Sequence, residues 1–400
     1  MLELTPGQAE LLDRITKWFR DYQNGNTSGY KHPQWFAYSG AAGCGKTTVI
    51  KEFLSSLNLG DDYIGCAYTG KAVLQMLKND LRAKTIHSLI YDIVSFYRID
   101  PITHRKTPAF EFVLKKHLDK DYSLIVVDEA PMVNDEMCRE ILSFGIPVIF
   151  VGDMNQLPPV FGKSSVMENP DFVLTQIMRQ SEDNPIVQLS QMILKDIPIM
   201  EGTYGESKVV REFILDESIL RDYDQIICFT NSLRYDINNY CRFQLLGRKT
   251  IDPRIDDKVI CRQNNWNVEC GGFYLTNGTS GKITDIDRTY VGSGFYIMNF
   301  HPDYFPDGMD FENLKVDARY IKMTPEDQKL YSRTQNEKFE YGYAITAHLS
   351  QGSEYGRVFF IDSFFQTPEL TKKARYTAIT RAIDKITIVM ASRKRKKLKY

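Results

Sequence analysis

The octapeptide Gly40-Ala41-Ala42-Gly43-Cys44-Gly45-Lys46-Thr47 holds the first residues in this chain whose spacing could do chemistry. It fits G-x-x-x-x-G-K-[ST], a loop that cradles phosphate groups. Its glycines let backbone N–H groups curl round a triphosphate, and a following helix start adds the positive end of its dipole. In such a loop Lys46 reaches the β- and γ-phosphates and the Thr47 hydroxyl ligates Mg²⁺. Gly43, Cys44, Gly45 and Thr48 complete this group of candidate nucleotide contacts.

Two acids end the apolar run Leu124-Ile125-Val126-Val127-Asp128-Glu129. Asp128 is a candidate Mg²⁺ ligand, directly or through water, and Glu129 a candidate to orient or deprotonate an attacking water. A third apolar run, Val148–Val151, leads into Gly152-Asp153-Met154-Asn155-Gln156-Leu157-Pro158-Pro159. Gln156 is a candidate γ-phosphate sensor there, against the plainer reading of a Gly-Asp and Pro-Pro turn.

These residues need strands that end at one edge. Phe36–Ser39, Tyr63–Tyr68, Leu124–Val127 and Val148–Val151 all read as buried strands, each followed by a polar or helical stretch. Such alternation predicts a parallel sheet with helices on both faces. Thr5-Pro6-Gly7-Gln8 opens a helix with a capping box, and Leu11, Leu12, Ile15, Trp18, Phe19 and Tyr22 follow at helical spacing. Between about 90 and 122 the pattern breaks, and Asp100–Pro108 reads as an exposed hairpin or loop. A second alternating set starts near 181, with strands at Ile226–Phe229, Val358–Ile361 and Ile386–Met390 and a helix over 232–246. Residues 251–325 are rich in Gly, Asn and aromatics, with turn pairs at Asn277-Gly278 and Asp307-Gly308, and read as an all-β insert.

The whole composition sets bounds on these readings. A chain of 400 residues suits two or three domains. At 43% hydrophobic and 25% charged it is an ordinary globular sequence, with no apolar run long enough for a bilayer and no charged-then-apolar leader. The expectation is a cytoplasmic protein without a membrane partner. Seven cysteines without C-x-x-C spacing fit reduced, buried thiols. A net charge of −1 excludes binding to nucleic acid by bulk charge, so any such contact must be a local groove. The basic run Arg393–Lys399 is either a nucleic-acid contact or a solvated tail.

The ordered set resembles motifs I, II and III of superfamily 1 helicases, in the RecD-like and phage Dda-like 5′–3′ branch. Further motifs match in order. Gln8 resembles the Q motif that reads adenine. Tyr68–Ala72 and Thr85–Leu89 resemble motifs Ia and Ib, and Leu174–Gln180 motif IV. Ala344–Glu354 resembles motif V and Tyr376–Ala382 motif VI. The match spans residues 5 to about 390. Two departures stand out: Leu349 replaces the family's basic residue after His348, and Pro131 replaces the serine of Ala-Ser-Met.

The resemblance implies two RecA-like domains. Residues 1–180 would form the first, with a pin-like insertion around 92–122. Residues 181–250 with 335–400 would form the second, and 251–334 an SH3-like insert. It implies ATP and Mg²⁺ as cofactors, with Gly352 and Glu354 as further nucleotide contacts. Arg179 and Arg381 would be arginine fingers, against the alternative of surface ion pairs. Thr69, Lys71, Thr85, His87, His348 and Ser350 would hold the phosphate backbone of one DNA strand. For His87 a buried helix start competes, and for Lys71 a solvated lysine. Phe110 and Phe112 would stack on a base at the pin, although i, i+2 aromatics also mark one face of a strand. The implied partners are single-stranded DNA, single-strand/duplex junctions and replication or recombination proteins, met by a monomeric motor moving 5′ to 3′. The rival reading is a DNA-stimulated P-loop ATPase that switches or mediates recombination or replication without processive unwinding.

Overall fold

The computed structural model describes residues 4–99, 106–159, 162–176, 183–331 and 336–390. Two compact units divide the chain, Met1–Val94 with Phe112–Ile197 and Ser95–Glu111 with Pro198–Tyr400.

The first unit contains the strands β1 (Trp35–Gly40), β2 (Tyr63–Ala67), β3 (Ala83–Thr85) and the start of β4 (Tyr91–Ile99). It also contains the end of β5 (Lys106–Leu114), and β6 (Leu124–Asp128), β7 (Val148–Gly152) and β8 (Phe172–Leu174). Six of them form a parallel sheet in the order β3-β2-β6-β7-β1-β8. All residues of β2 and β7 are buried, as a sheet covered on both faces requires. The short strands β3 and β8 had no clear apolar signature in the sequence. Helix Pro6–Gln23 begins at the expected capping box: Gln8 N donates to Thr5 Oγ1 at 3.3 Å and Thr5 N to Gln8 Oε1 at 2.9 Å. Its buried stripe is Leu11, Ile15, Trp18 and Phe19. β4 and β5 pair as a two-stranded ribbon to either side of the stretch read as a hairpin or loop. Residues 100–105 at its tip lie outside the described residues. Helix Pro185–Leu194, expected to open the second domain, belongs to the first unit.

The second unit holds two further sheets. Its strands are β9 (Gly202–Tyr204), β10 (Ser207–Val210), β11 (Gln225–Cys228), β12 (Lys258–Cys261), β13 (Asn265–Cys270) and β14 (Phe273–Leu275). Then come β15 (Ser280–Asp287), β16 (Phe295–Pro302), β17 (Phe311–Asp317), β18 (Phe339–Tyr341), β19 (Ala344–Thr346), β20 (Tyr355–Ile361) and β21 (Ala382–Val389). One six-stranded sheet runs β19-β11-β20-β21-β10-β9 and is parallel except for β9 at its edge. The insert is a five-stranded antiparallel sheet, β17-β16-β15-β12-β18, with β13 and β14 as a separate ribbon. Both turn pairs are turns. Gly278 and Gly308 have φ of +90° and +79°, which glycine adopts at no steric cost.

One apolar core joins these two sheets, with Ile226 and Phe359 from one beside Val259 and Phe300 from the other. Buried charges fix the junction. Arg242 and Asp257, both 0% exposed, pair at 3.0 Å, and the Tyr343 hydroxyl donates to Asp257 at 2.8 Å. The Arg242 guanidinium lies 3.9 Å over the Tyr341 ring. The expected helix over 232–246 is α-helical over Asn231–Tyr240 and widens to a π-turn over Cys241–Leu245, which carries Arg242.

Candidate nucleotide site and nucleic-acid track

Most candidate residues of the first unit share one edge of its sheet. Register places Ala67 level with Thr85 on one side and Asp128 on the other. Val127 is level with Phe150, and Phe150 with Ala37. The carboxyl ends of β3, β2, β6, β7 and β1 therefore deliver, in that order, Thr85, Thr69, Asp128, Gly152 and the glycine loop. Ligands of open parallel sheets bind at this edge. β6 and β1 flank β7, so Asp128 is roughly 10 Å across the sheet from the strand that opens the loop.

Gly43 and Gly45 have φ of +82° and +73°, which frees the loop to curl. Helix Lys46–Leu57 follows without a side-chain cap, so its first N–H groups point into the loop as an anion site. Lys46 Nζ donates to Gly40 O at 2.8 Å and Ala41 O at 3.4 Å. Both acceptors are neutral carbonyls. The Tyr38 hydroxyl donates to Lys46 O at 3.0 Å. Gln8 is buried and donates from Nε2 to Cys44 O at 2.9 Å, bracing the loop from outside. Cys44 lies inside the unit, its thiol against Leu174 O at 3.5 Å, and burial pushes that thiol up. Cys44 thus offers only its backbone to a phosphate. Thr47 is exposed, and Thr48 and Asp128 are half-buried. A hydroxyl and a carboxylate are the hard oxygen donors that Mg²⁺ takes, so the residues present fit that ion.

Glu129 adopts φ +50°, a left-handed turn that is strained for a non-glycine residue, and its N–H donates to Asp128 Oδ1 at 2.9 Å. Packing against Gly152 accounts for Pro131, the second of the two departures. A Cβ on Gly152 would stand 2.3 Å from Pro131 Cδ, so the ring packs on bare backbone at the end of β7. The hydroxyl missing at 131 has a counterpart nearby: Ser164 Oγ, buried, donates to Ala130 O at 3.0 Å. Sequence reading gave no signal for Ser164, nor for Ser39, whose Oγ accepts from Met154 N at 3.0 Å. Gln156 is 6% exposed, and its Oε1 is buried with no hydrogen-bond partner among the described residues.

The track candidates divide by environment. Thr69 and Thr85 cap helices, accepting from Ala72 N and Ser88 N at 3.2 Å each. Lys71 is half-buried. His87 lies among rings, 5.6 Å from Tyr68, 5.6 Å from Tyr91 and 5.4 Å from Phe112. Burial there pushes its imidazole down to about 4, so it is neutral near pH 7. Phe110 lies on β5, but its side chain is outside the described residues.

In the second unit the segment after β19 has two ends. At the carboxyl edge His348 rests 5.5 Å from the Phe365 ring, and burial pushes its imidazole down. Ser350 is 0% exposed and donates to Ala347 O at 2.8 Å; so placed, it presents no atom to a ligand. The chain then turns at Gly352, φ +69°, passes the exposed Glu354 and reaches the amino edge of β20. There the Arg381 guanidinium donates to Ser353 O at 3.1 Å, Thr377 O at 3.2 Å and Thr380 Oγ1 at 3.3 Å. It is 5% exposed, and no carboxylate pairs with it among the described residues. Arg179 lies outside the described residues, as does the basic run 393–399.

Together the fold and the glycine loop define a P-loop protein with two RecA-like sheets. Residues 29–212 match the AAA domain family and residues 341–389 the UvrD-like helicase C-terminal domain. The chain is 26% identical over 380 residues to the ATP-dependent RecD2 DNA helicase of Deinococcus radiodurans, covering 87% of this chain and 46% of that protein. It therefore spans under half of that relative's length. Two solved structures share the fold. A structure of two coordinating Pif1 helicases at forked duplex DNA aligns with TM-score 0.53 and 18% identity, over 96% of this chain and 92% of that one. Bacteroides Pif1 with ADP-AlF3 and single-stranded DNA aligns with TM-score 0.52 and 17% identity, over 97% and 92%. In sequence the chain is thus similar to a RecD-type helicase, and in fold to Pif1 helicases. No helix among the described residues is long and apolar enough to cross a membrane.

Proposed function

We propose that this chain is an ATP-driven motor that moves along single-stranded DNA, 5′ to 3′, and separates duplex strands. The observation that carries this reading is a division of chemistry between two sheets. The first has a phosphate loop and, at Gln156, a buried amide oxygen that has no partner among the described residues. The second has a buried guanidinium, Arg381, held by neutral acceptors. An unpaired buried polar atom beside a phosphate loop is suited to a water or γ-phosphate that arrives with substrate.

The site residues take these roles. Gln8, buried and bonded to Thr5 and Cys44, braces the loop instead of reading the adenine, and the loop N–H groups with Lys46 and Thr48 hold the phosphates. Thr47 and Asp128 hold Mg²⁺, which neutralises charge on the phosphate oxygens when bound. Glu129 orients or deprotonates the attacking water, and Gln156 senses the γ-phosphate. Arg381, with Arg179, stabilises the transferring phosphoryl group, a role worth about 10³–10⁵ in rate for such residues. Arg381 and the loop lie on different units, so each unit supplies groups that turnover requires. Gly352 and Glu354 complete the nucleotide contacts. Thr69, Lys71, Thr85 and His348 hold a strand by its backbone, which suits a motor because such contacts carry no sequence information. The ribbon of β4 and β5 is the pin at a single-strand/duplex junction, and the five-stranded insert corresponds to the SH3-like domain. The chain acts as a monomer in the cytoplasm.

The test combines ATPase rate with and without single-stranded DNA and unwinding of duplexes tailed at either end. Stimulation together with unwinding of only the 5′-tailed substrate supports the motor. Stimulation without movement favours a switch. Lys46→Ala should abolish turnover and leave DNA binding intact; normal hydrolysis in that variant refutes the site.

A further inference from the structure

The ring cluster of the first unit does something that the phosphate track does not require. His87 sits at the start of the short helix Ile86–Ile90, which follows Thr85. Tyr68 directly precedes Thr69 at the end of β2. Tyr91 opens β4, and Phe112 lies on β5. The His87 ring is within 5.6 Å of all three other rings, and Tyr91 and Phe112 are 5.4 Å apart. One imidazole thus touches the loop that carries Thr69, the helix capped by Thr85, and both strands at the root of the ribbon. Aromatic pairs at such separations are attractive beyond their buried area. Two further contacts hold the root: Lys115 N donates to Ile90 O at 2.9 Å, and the Tyr91 hydroxyl to Glu140. Tyr68 and Phe112 keep 41% and 37% exposure, so the cluster has an open side.

We propose that His87 is a positioning residue, an aromatic spacer that ties the ends of β2 and β3 to the root of the β4–β5 ribbon, and that strand separation depends on its ring and not on a positive charge. Burial among the rings, which keeps the imidazole neutral near pH 7, agrees with this. The inference rests on the motor reading above. A shift of the floor that carries Thr69 and Thr85 is passed through the tilted, edge-packed rings to the ribbon. Without the ring, ATP is still consumed and the strand still held, but the ribbon is no longer driven.

The experiment compares His87→Ala and His87→Phe in the full chain. It measures DNA-stimulated ATPase, the salt dependence of single-stranded DNA affinity, and the unwinding of a forked duplex. His87→Ala should lose about tenfold in unwinding per ATP, the effect of about one to two aromatic pairs, with the slope of log affinity against log salt unchanged. His87→Phe should restore wild-type coupling. Phe112→Leu, which keeps apolar bulk but removes a ring on the far side of the cluster, should uncouple in the same sense and gives a second route where His87→Ala does not fold. The inference is overturned where His87→Phe fails as badly as His87→Ala. It is also overturned where the salt slope falls by about one, the mark of a lost phosphate contact, or where Phe112→Leu unwinds normally. A wild-type chain without unwinding would instead defeat the motor reading.

Discussion

A buried amide oxygen without a partner costs about 1–3 kcal/mol, and among the described residues Gln156 Oε1 is such an atom. Gln156→Leu keeps the volume and removes the orphan. Its nucleotide-free form should melt no lower than the wild type, while turnover falls; thermal denaturation beside an ATPase assay checks both. A variant that is clearly less stable would show Gln156 to be a structural residue. His87 gives a second residue-scale prediction, with its sign set by burial. Folding holds this imidazole below its ordinary 6.5, at about 4. Between those values the unfolded chain binds the extra proton, so acidification favours unfolding. The stability involved is present above about 6.5 and lost as pH falls toward 4. Melting curves from pH 7 to 5 should therefore fall less steeply in His87→Phe than in the wild type.

At the scale of elements, the turn after β6 and the end of β7 are one packed object. Glu129 is left-handed, Pro131 follows two residues later, and the Pro131 ring occupies the space a Cβ on Gly152 would need. Gly152→Ala should cost about 1–3 kcal/mol, as overpacking generally does, and should lower turnover by displacing Glu129. Pro131→Ser, the residue typical of the family, should relieve the clash, so the double variant recovers stability. A denaturant series on both single variants and the double one measures that coupling. Additive losses would separate the two positions.

At the scale of the whole molecule, the two sheets contribute different chemistry. Arg381 is fixed by Ser353 and Thr377, so the segment after β19 and the helix Pro368–Ile379 are tied at one guanidinium. Arg381→Ala should keep ATP affinity while kcat drops by about 10³ or more, the pattern of an interaction made mainly in the transition state. Steady-state kinetics at saturating DNA checks it, and a change confined to KM would remove the finger role. The second unit also depends on Arg242 and Asp257, both fully buried, to hold its two sheets in one core.

The sequence by itself determined the phosphate loop, the acids at 128 and 129, the capping box at Thr5 and Gln8 and the central strands. Each of these is local: glycine spacing, an apolar run of the right length, a polar residue at a fixed offset. Turn pairs and alternation also marked most of the all-β insert, but its edge strand β18, Phe339–Tyr341, lies past the expected boundary at 334 and joins the sheet only by pairing with β12. What only the tertiary structure decided was non-local. Strands of three residues such as β3, β8 and β19 have too few side chains to show a period, and exist because a neighbour pairs with them. The inward turn of Ser350, the Ser164 bond to Ala130 and the ring cage of His87 each depend on residues distant in the chain or on packing no motif encodes. A motif names a residue type at a position, but burial sets that residue's charge and reach, and burial belongs to the fold.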